Sequence, residues 1–91
     1  MEDNLEYVEK ILEMRGMKRI EIVNYFISID GKIIDDEKYA GKGWQVEIAE
    51  EKLVTLGSLK IPATVVTLRC REDLSEQMMY AFRLRFLSAG G

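Results

Sequence analysis

The chain has 91 residues, of which 47% are hydrophobic and 32% are charged, and its formal net charge is -3. This size and composition predict one small globular domain over residues 1–91 and exclude a disordered segment. The acidic balance argues against nucleic-acid binding, which needs a basic face. A core of this size is thin, so pairing as a homodimer or with another protein is expected.

Histidine is absent from the sequence, and there is one cysteine, Cys70. Without histidine the chain can build neither a His-based metal site nor a Ser–His triad, and it carries no phosphate-loop motif. We therefore expect a protein that is not an enzyme and holds no metal or cofactor. A lone thiol fits a reducing cytoplasm. The first ten residues are acidic and lack a long apolar run, so neither a signal peptide nor a membrane span is expected.

The first part of the chain predicts a helix followed by two strands. Residues from about Leu5 to Arg15 place their apolar side chains on one half of a helical wheel, which predicts an amphipathic helix. The stretch KRIEIVNYFISID, residues 18–30, is rich in β-branched and aromatic residues and predicts a strand with a bulge near Ile22–Val23. Asp30–Gly31 predicts a hairpin turn, and residues 32–35 would form the returning strand.

The second part predicts a polar loop over residues 35–43, then a strand, a hairpin and a helix. Residues 43–50 alternate between apolar and polar side chains, as in a half-buried strand. Residues 51–70 predict a hairpin whose turn is Gly57–Ser58. A long helix with a wide apolar arc runs from about Asp73 to Ser88.

This order, α-β-β-β-β-β-α, predicts an α+β fold. We expect one curved antiparallel sheet of about five strands, with the N-terminal helix packed near the long C-terminal helix on one face.

The stretch VTLGSLKIPATVVTL, residues 54–68, resembles the C-terminal domain of MoaD-related proteins, which are associated with molybdopterin biosynthesis. The resemblance covers roughly residues 53–91. Its motif consists of five residues that stand here in the family's order: Gly57, Ser58, Leu59, Ile61 and Pro62. Pro62 cannot donate a backbone hydrogen bond, so its nitrogen is expected at a sheet edge or a bulge. The resemblance implies a fold similar to that of the TATA-binding protein.

In the fused relatives a ubiquitin-like domain precedes this domain, whereas here it is expected to stand alone. The resemblance therefore implies a non-catalytic accessory module that docks a ubiquitin-like sulfur carrier, or a molybdopterin-pathway enzyme, as a separate chain. Two alternatives stay open. One is a small-ligand binder with a pocket between sheet and helix, and the other is a sulfur carrier that uses the C-terminal Gly90–Gly91.

The Gly90–Gly91 tail is either a thiocarboxylate-bearing terminus or the frayed end of a helix. If the last helix runs to Ser88, the free tail is only on the order of 10 Å long. That reach is short for a buried active site.

Several cationic side chains are candidates for binding a ligand or a partner. Arg85 lies in the apolar arc of the last helix, where it either clamps an anion or snorkels to water near the helix C-terminus. Arg69 and Arg71 share a strand face and would join such a clamp. Cys70 between them is either a reactive thiolate or a plain buried cysteine, and the absence of a histidine base favours the second reading.

Apolar and aromatic side chains are the other candidates. Trp44 either stacks on a flat ligand or partner or packs in the core. Met78 and Phe82, together with Met79 and Phe86, would line the pocket between sheet and helix.

Overall fold

The structure is a computed structural model and describes residues 6–86. It confirms the α+β class, since it consists of an open, six-stranded antiparallel sheet and two helices, the longer of them last. The strand order is β1-β6-β4-β3-β2, and β5 pairs with β6. The elements in chain order are β1 (Tyr7–Arg15), α1 (Arg19–Ser28), β2 (Lys32–Ile33), β3 (Lys38–Gly41), β4 (Trp44–Ile48), β5 (Lys52–Leu56), β6 (Leu59–Arg71) and α2 (Glu72–Phe86).

Both helices lie on the same face of the sheet. Tyr25 of α1 makes edge-on ring contacts with Phe82 and Phe86 of α2, at centroid distances of 5.6 and 5.5 Å. Beneath the helices the core consists of strand residues that alternate along β4 and β6: Trp44, Val46, Ile48, Val66, Leu68 and Cys70. No described element covers the opposite face, so the sheet presents its other set of side chains to solvent.

The predicted helix over Leu5–Arg15 is wrong within the described residues, because this stretch forms β1. It pairs with β6 from Tyr7 opposite Arg71 to Arg15 opposite Ala63. Its side chains at positions 8, 12 and 14 turn toward the core, but position 10 on the same face is a lysine. An inward-facing charge is typical of an edge strand. Here it interrupts the alternation from which a strand would have been recognised.

The predicted strand over residues 18–30 is also wrong, because residues 19–28 form α1 and no bulge exists at Ile22–Val23. The helix buries Ile22, Val23 and Phe26 and packs Tyr25 and Ile29 partly against the core. These positions follow the i, i+3, i+4, i+7 spacing of a helical stripe. The slip in strand alternation was therefore the signal of a helix, and the element order is β-α-β-β-β-β-β-α.

Asp30–Gly31 does not form the predicted hairpin turn but ends α1. The Gly31 amide donates to the Phe26 carbonyl at 2.9 Å, and the Asp30 amide donates to the Ile27 carbonyl at 3.1 Å. Asp30 has a φ of 72°. This pair of bonds around a left-handed residue is the Schellman arrangement that closes helix C-termini.

The later elements follow the sequence prediction more closely. In β4, Trp44, Val46 and Ile48 are buried while the residues between them are exposed. The loop predicted over residues 35–43 contains the short strand β3, so the sheet has six strands rather than five. Helix α2 is described to Phe86, and its predicted end at Ser88 lies outside the described residues.

Strand β5 continues β4 along the same side of β6 after a bulge. Ile48 lies opposite Val66 and Lys52 lies opposite Ala63, so four steps along one strand match three along the other. The extra residue breaks the ladder and leaves carbonyls that need donors.

Arg19 supplies those donors from the start of α1. Its guanidinium donates to the carbonyls of Ile48 at 2.8 Å, Ala49 at 2.9 Å and Asp36 at 2.7 Å. Its backbone amide also donates to the carboxylate of Glu51 at 2.7 Å. Charge-assisted bonds of this kind fix the bulge, and with it the direction in which β5 leaves the sheet.

Candidate functional site

The paired strand segments over residues 52–62 project from the sheet and form what we call the arm. Strand β6 is 13 residues long, but β1 pairs with it only from Ala63 onward and β4 only from Val66 onward. Among the strands, only β5 therefore pairs with its first residues. At about 3.3 Å per residue, the arm extends on the order of 15 Å beyond the body of the sheet.

The turn of the arm is Gly57–Ser58, as predicted. Leu56 lies opposite Leu59, and Gly57 has a φ of 62°. Of these two turn residues only Gly57 has a positive φ, which is the pattern of a type II′ turn. A residue without a side chain is needed there, which explains the glycine of the motif.

The nitrogen of Pro62 lies on the β1 side of β6, just beyond the end of β1. The Pro62 carbonyl accepts a hydrogen bond from the Gly16 amide at 2.8 Å. In a strand the nitrogen and oxygen of one residue point to the same side, so the proline ring occupies a place where no described strand needs a donor. This agrees with the edge position predicted from the sequence.

One face of the arm is entirely apolar at four positions, and we call it the apolar face. Because paired residues of an antiparallel ladder share a face, the register groups Val54 with Ile61 and Leu56 with Leu59. Leu59 is 65% exposed and Leu56 is 47% exposed. The opposite face of the arm is mixed, since it carries Leu53, Thr55, Lys60 and Pro62.

A second concave site lies where α1, α2 and the turn between β3 and β4 meet. It is a cavity of about 270 Å³ lined by aromatic, apolar and polar side chains: Tyr25, Ile29, Lys42, Trp44, Leu74, Gln77, Met78 and Ala81. The structure therefore brings the predicted residues Trp44 and Met78 together. Burial raises the pKa of the Tyr25 phenol, and the charge of Arg85 opposes that rise.

Trp44 is held in this site by close backbone contact as well as by core packing. A Cβ on Gly41 would lie 2.4 Å from the indole ring, so a side chain there would displace the ring. On its other side the indole meets Phe26 at a centroid distance of 5.4 Å. Trp44 is thus mainly a core residue, of which one part borders the cavity.

The other residues predicted for the pocket, Met79, Phe82 and Phe86, do not line this cavity, and neither does Arg85. Phe82 is buried in the core, where it stacks on Phe26 at 5.8 Å. Arg85 is exposed, with its guanidinium carbon 5.0 Å from the centroid of the Phe86 ring. This geometry corresponds to an arginine near a helix C-terminus that covers an aromatic ring, rather than to a built anion clamp.

Arg69 and Arg71 lie on the face of the sheet opposite the helices and make separate contacts. Arg69 approaches the ring of Tyr7 at 5.8 Å. Arg71 donates twice to the Asp73 carboxylate, from Nε at 3.1 Å and from Nη2 at 2.6 Å. That hydrogen bonding lowers the pKa of Asp73. The three predicted arginines therefore do not converge on one anion.

Cys70 is fully buried beneath the helices. Burial raises the pKa of its thiol, although a hydrogen bond with Ser75 opposes the rise. The burial of the thiol and its raised pKa favour a plain buried cysteine over a reactive thiolate. Within residues 6–86 no group of three acidic, histidine or cysteine side chains is placed to hold a metal ion.

Neither described helix is long and apolar enough to cross a membrane. Gly90 and Gly91 lie outside the described residues, so the carrier reading of the tail stays a prediction.

The motif of the arm was predicted from the sequence, but two features of the sites were not. The exposure of Leu56 and Leu59 was not predicted. Their position on either side of a two-residue turn indicates only that they share a face. The positions of Tyr25 and Lys42 at the cavity were also not predicted, because residue 25 was assigned to a strand and residue 42 to an open loop.

A family model described as archaeal MoaD-like protein matches residues 10–91, from within β1 to the last residue. The match extends well beyond the stretch that carries the resemblance in the sequence. No curated protein matches the chain.

Proposed function

This chain belongs to the archaeal MoaD-like protein family, and we propose that it is a non-catalytic binding module of molybdopterin biosynthesis. Membership of the family links the chain to that pathway. The part played within it, binding another protein by way of the arm, is our proposal.

The exposed apolar face of the arm is the observation that carries this proposal. Val54, Leu56, Leu59 and Ile61 form a contiguous apolar patch on a two-stranded projection. Exposed patches of large apolar side chains are typical of protein interaction sites. Lys52 stands at the base of this face, so the apolar centre has a charged border, as interfaces commonly do.

A non-catalytic role is supported by the side chains that are present. The sequence has no histidine, and its one thiol is buried with a raised pKa. The three predicted arginines are dispersed over separate contacts. These features supply neither a nucleophile with a base nor a converging set of charges.

The partner that we propose is a ubiquitin-like sulfur carrier or an enzyme of the same pathway. The resemblance supports this choice, because in the fused relatives a ubiquitin-like domain is attached to the domain that carries the GSLxIP hairpin. In the present chain that hairpin is the turn of the arm. Docking through the apolar face would bring this kind of domain together with a ubiquitin-like domain, as fusion does in those relatives.

The arm offers a matched pair of variants to test this proposal. Leu59 and Leu53 are 65% and 67% exposed and lie on opposite faces. Tagged full-length protein would be purified from its host together with its bound proteins, which mass spectrometry then quantifies. We expect Leu59→Ser to lower recovery of a molybdopterin-pathway protein about tenfold, as loss of an interface anchor does. Leu53→Ser should change recovery less than twofold.

Two results would contradict the proposal. One is repeated purification without any protein of the pathway. The other is an equal loss of the partner in Leu59→Ser and Leu53→Ser, because that would mean that the apolar face is not the surface that binds.

A second candidate function, binding of a small flat ligand, is favoured by the cavity beside Trp44. Its volume and its mixture of an indole, a phenol, a lysine and a thioether suit a heteroaromatic molecule that carries an acidic group. Trp44 is the single tryptophan, so its fluorescence reports directly on the site. Titration with a pterin should give saturable quenching in the wild-type protein.

Two variants control this titration, one that fills the cavity and one that leaves it unchanged. Ala81→Phe places a ring among the lining residues and should abolish saturable quenching. Tyr80→Phe alters a neighbouring, exposed residue outside the cavity and should leave it unchanged. Quenching that is linear, or equal in the two variants, would remove ligand binding as a function of this cavity.

A further inference from the structure

The outer edge of β1 has no partner among the described strands. The amide of Gly16 and the carbonyl of Glu6 both bond toward β6 and its continuation into α2. Even-numbered residues of β1 therefore turn their backbone groups inward. The N–H and C=O groups of residues 7, 9, 11, 13 and 15 point to the open edge, which is a template for another strand.

The side chains along this edge form a self-complementary pattern. Glu9 and Arg15 lie three residues before and after Leu12, both exposed on the face opposite the helices. Ile11, between them, is 67% exposed. With an acidic residue at one end, a basic residue at the other and an apolar centre, the edge is complementary to itself under a twofold rotation.

Helix α2 presents the same kind of pattern beside this edge. Glu76, Tyr80 and Arg83 border a groove of about 400 Å³ that residues 10–12 of β1 also line. Tyr80 is 66% exposed. This side of α2 therefore also carries an acidic, an aromatic and a basic residue in order. Its central residue, Tyr80, lines the same groove as Ile11, the central residue of the β1 edge.

We propose that the open edge of β1 binds the β1 of a second copy of this chain, antiparallel, about a twofold axis at Leu12. The pairing places Glu9 opposite Arg15 and Ile11 opposite Glu13, with about eight new backbone hydrogen bonds. Because α2 packs over β1 and β6, the two α2 helices come to lie side by side above the joined strands. Glu76 of each copy then faces the region of Arg83 of the other.

The charges along the edge favour this register over registers shifted by a residue or two. Odd residues must lie opposite odd residues for the outward backbone groups to meet. An axis at Ile11 would place Glu9 opposite Glu13 twice, and an axis at Lys10 would bring the two Lys10 side chains together on the helix-covered side. The axis at Leu12 places opposite charges at both ends, and like charges directly opposite are destabilising. An axis at Met14 would also pair opposite charges, Glu13 with Arg15, but it would leave residues 7, 9 and 11 of β1 without a partner strand.

The test measures the association of the full-length chain by sedimentation velocity over a range of concentrations at low salt, where exposed charges are least screened. The wild-type chain should form a dimer. Glu9→Arg or Arg15→Glu alone turns two attractive contacts into two repulsive ones, and each should raise the dissociation constant about tenfold or more. Glu50→Arg, in the exposed connection between β4 and β5, is the control and should leave the constant unchanged.

The double variant, Glu9→Arg with Arg15→Glu, restores opposite charges with their signs exchanged. It should recover a dissociation constant within a few-fold of the wild-type value, and such rescue identifies the register. A wild-type chain that stays monomeric, a dimer insensitive to the single reversals, or a double variant without recovery would each overturn the proposal. None of these outcomes depends on any other protein, so the test is independent of the function proposed for the arm.

Discussion

Asp30 is the one non-glycine residue among those described whose φ is positive, at 72°. An L-residue in the left-handed region carries a cost of roughly 1 kcal/mol that glycine avoids. Asp30 closes α1 through the bonds of the Schellman motif, so the conformation is required by the helix end. The cost is therefore present in the native state and can be relieved by substitution.

We expect Asp30→Gly to raise the free energy of unfolding by about 0.5–1 kcal/mol, because relief of the strained conformation outweighs the added entropy of the unfolded chain. Asp30→Val should lower it by about 1 kcal/mol or more, since a β-branched side chain is least tolerated at positive φ. Urea unfolding followed by circular dichroism measures both. A stability of Asp30→Gly at or below that of the wild type would contradict this account of the helix end.

At the scale of elements, prediction from the sequence succeeded for strands that bury one complete face. It failed for β1, which lies at a sheet edge, and for α1, whose conformation depends on tertiary packing. Strand β4 alternates without exception, and β6 carries a turn glycine at its start, so both were placed correctly. In β1, Lys10 faces inward because the strand lies at an edge, and Ile11 faces outward. Because of these two residues, the apolar positions of β1 match the period of a helix better than the alternation of a strand.

The opposite error in α1 has a complementary cause. Its residues, mainly isoleucine, valine, tyrosine and phenylalanine, prefer strands in isolation. Packing of Ile22, Tyr25, Phe26 and Ile29 against the sheet and α2 overrides that preference. Local propensity is a weak guide in such a segment, whereas the i, i+3, i+4, i+7 spacing of the same residues records the helix.

The candidate sites were predictable to the extent that they depend on short motifs. The GSLxIP stretch identified the hairpin that became the arm. Trp44 and Met78 were separate candidates that both line the cavity, whereas Met79, Phe82 and Phe86, which were predicted beside Met78, do not.

The sequence could not predict whether Arg69, Arg71 and Arg85 converge. That depends on the face of the sheet on which each strand residue lies and on where α2 crosses the sheet. The exposure of the arm likewise depends on β1 ending at Arg15, which no local pattern records.

At the scale of the whole molecule, the two helices cover one face of the sheet, and among the surfaces that the described elements leave open are the arm and the outer edge of β1. The arm projects from one end, and the open edge of β1 runs along one side. A second copy at the β1 edge and a different protein at the arm would occupy separate surfaces. A dimer joined through β1 would then carry two arms, each free to bind a partner.

The measurement that tests the central claim most directly is site-specific photocrosslinking from the arm. A photoreactive amino acid would replace Leu59 on the apolar face, or Leu53 on the opposite face as the matched control, in the full chain expressed with the proteins of its host. We predict that position 59 crosslinks to a ubiquitin-like sulfur carrier or a molybdopterin-pathway enzyme and that position 53 does so much less. Crosslinks to unrelated proteins only, or equal yields from the two positions, would contradict the claim that this chain acts by docking a pathway protein on its arm.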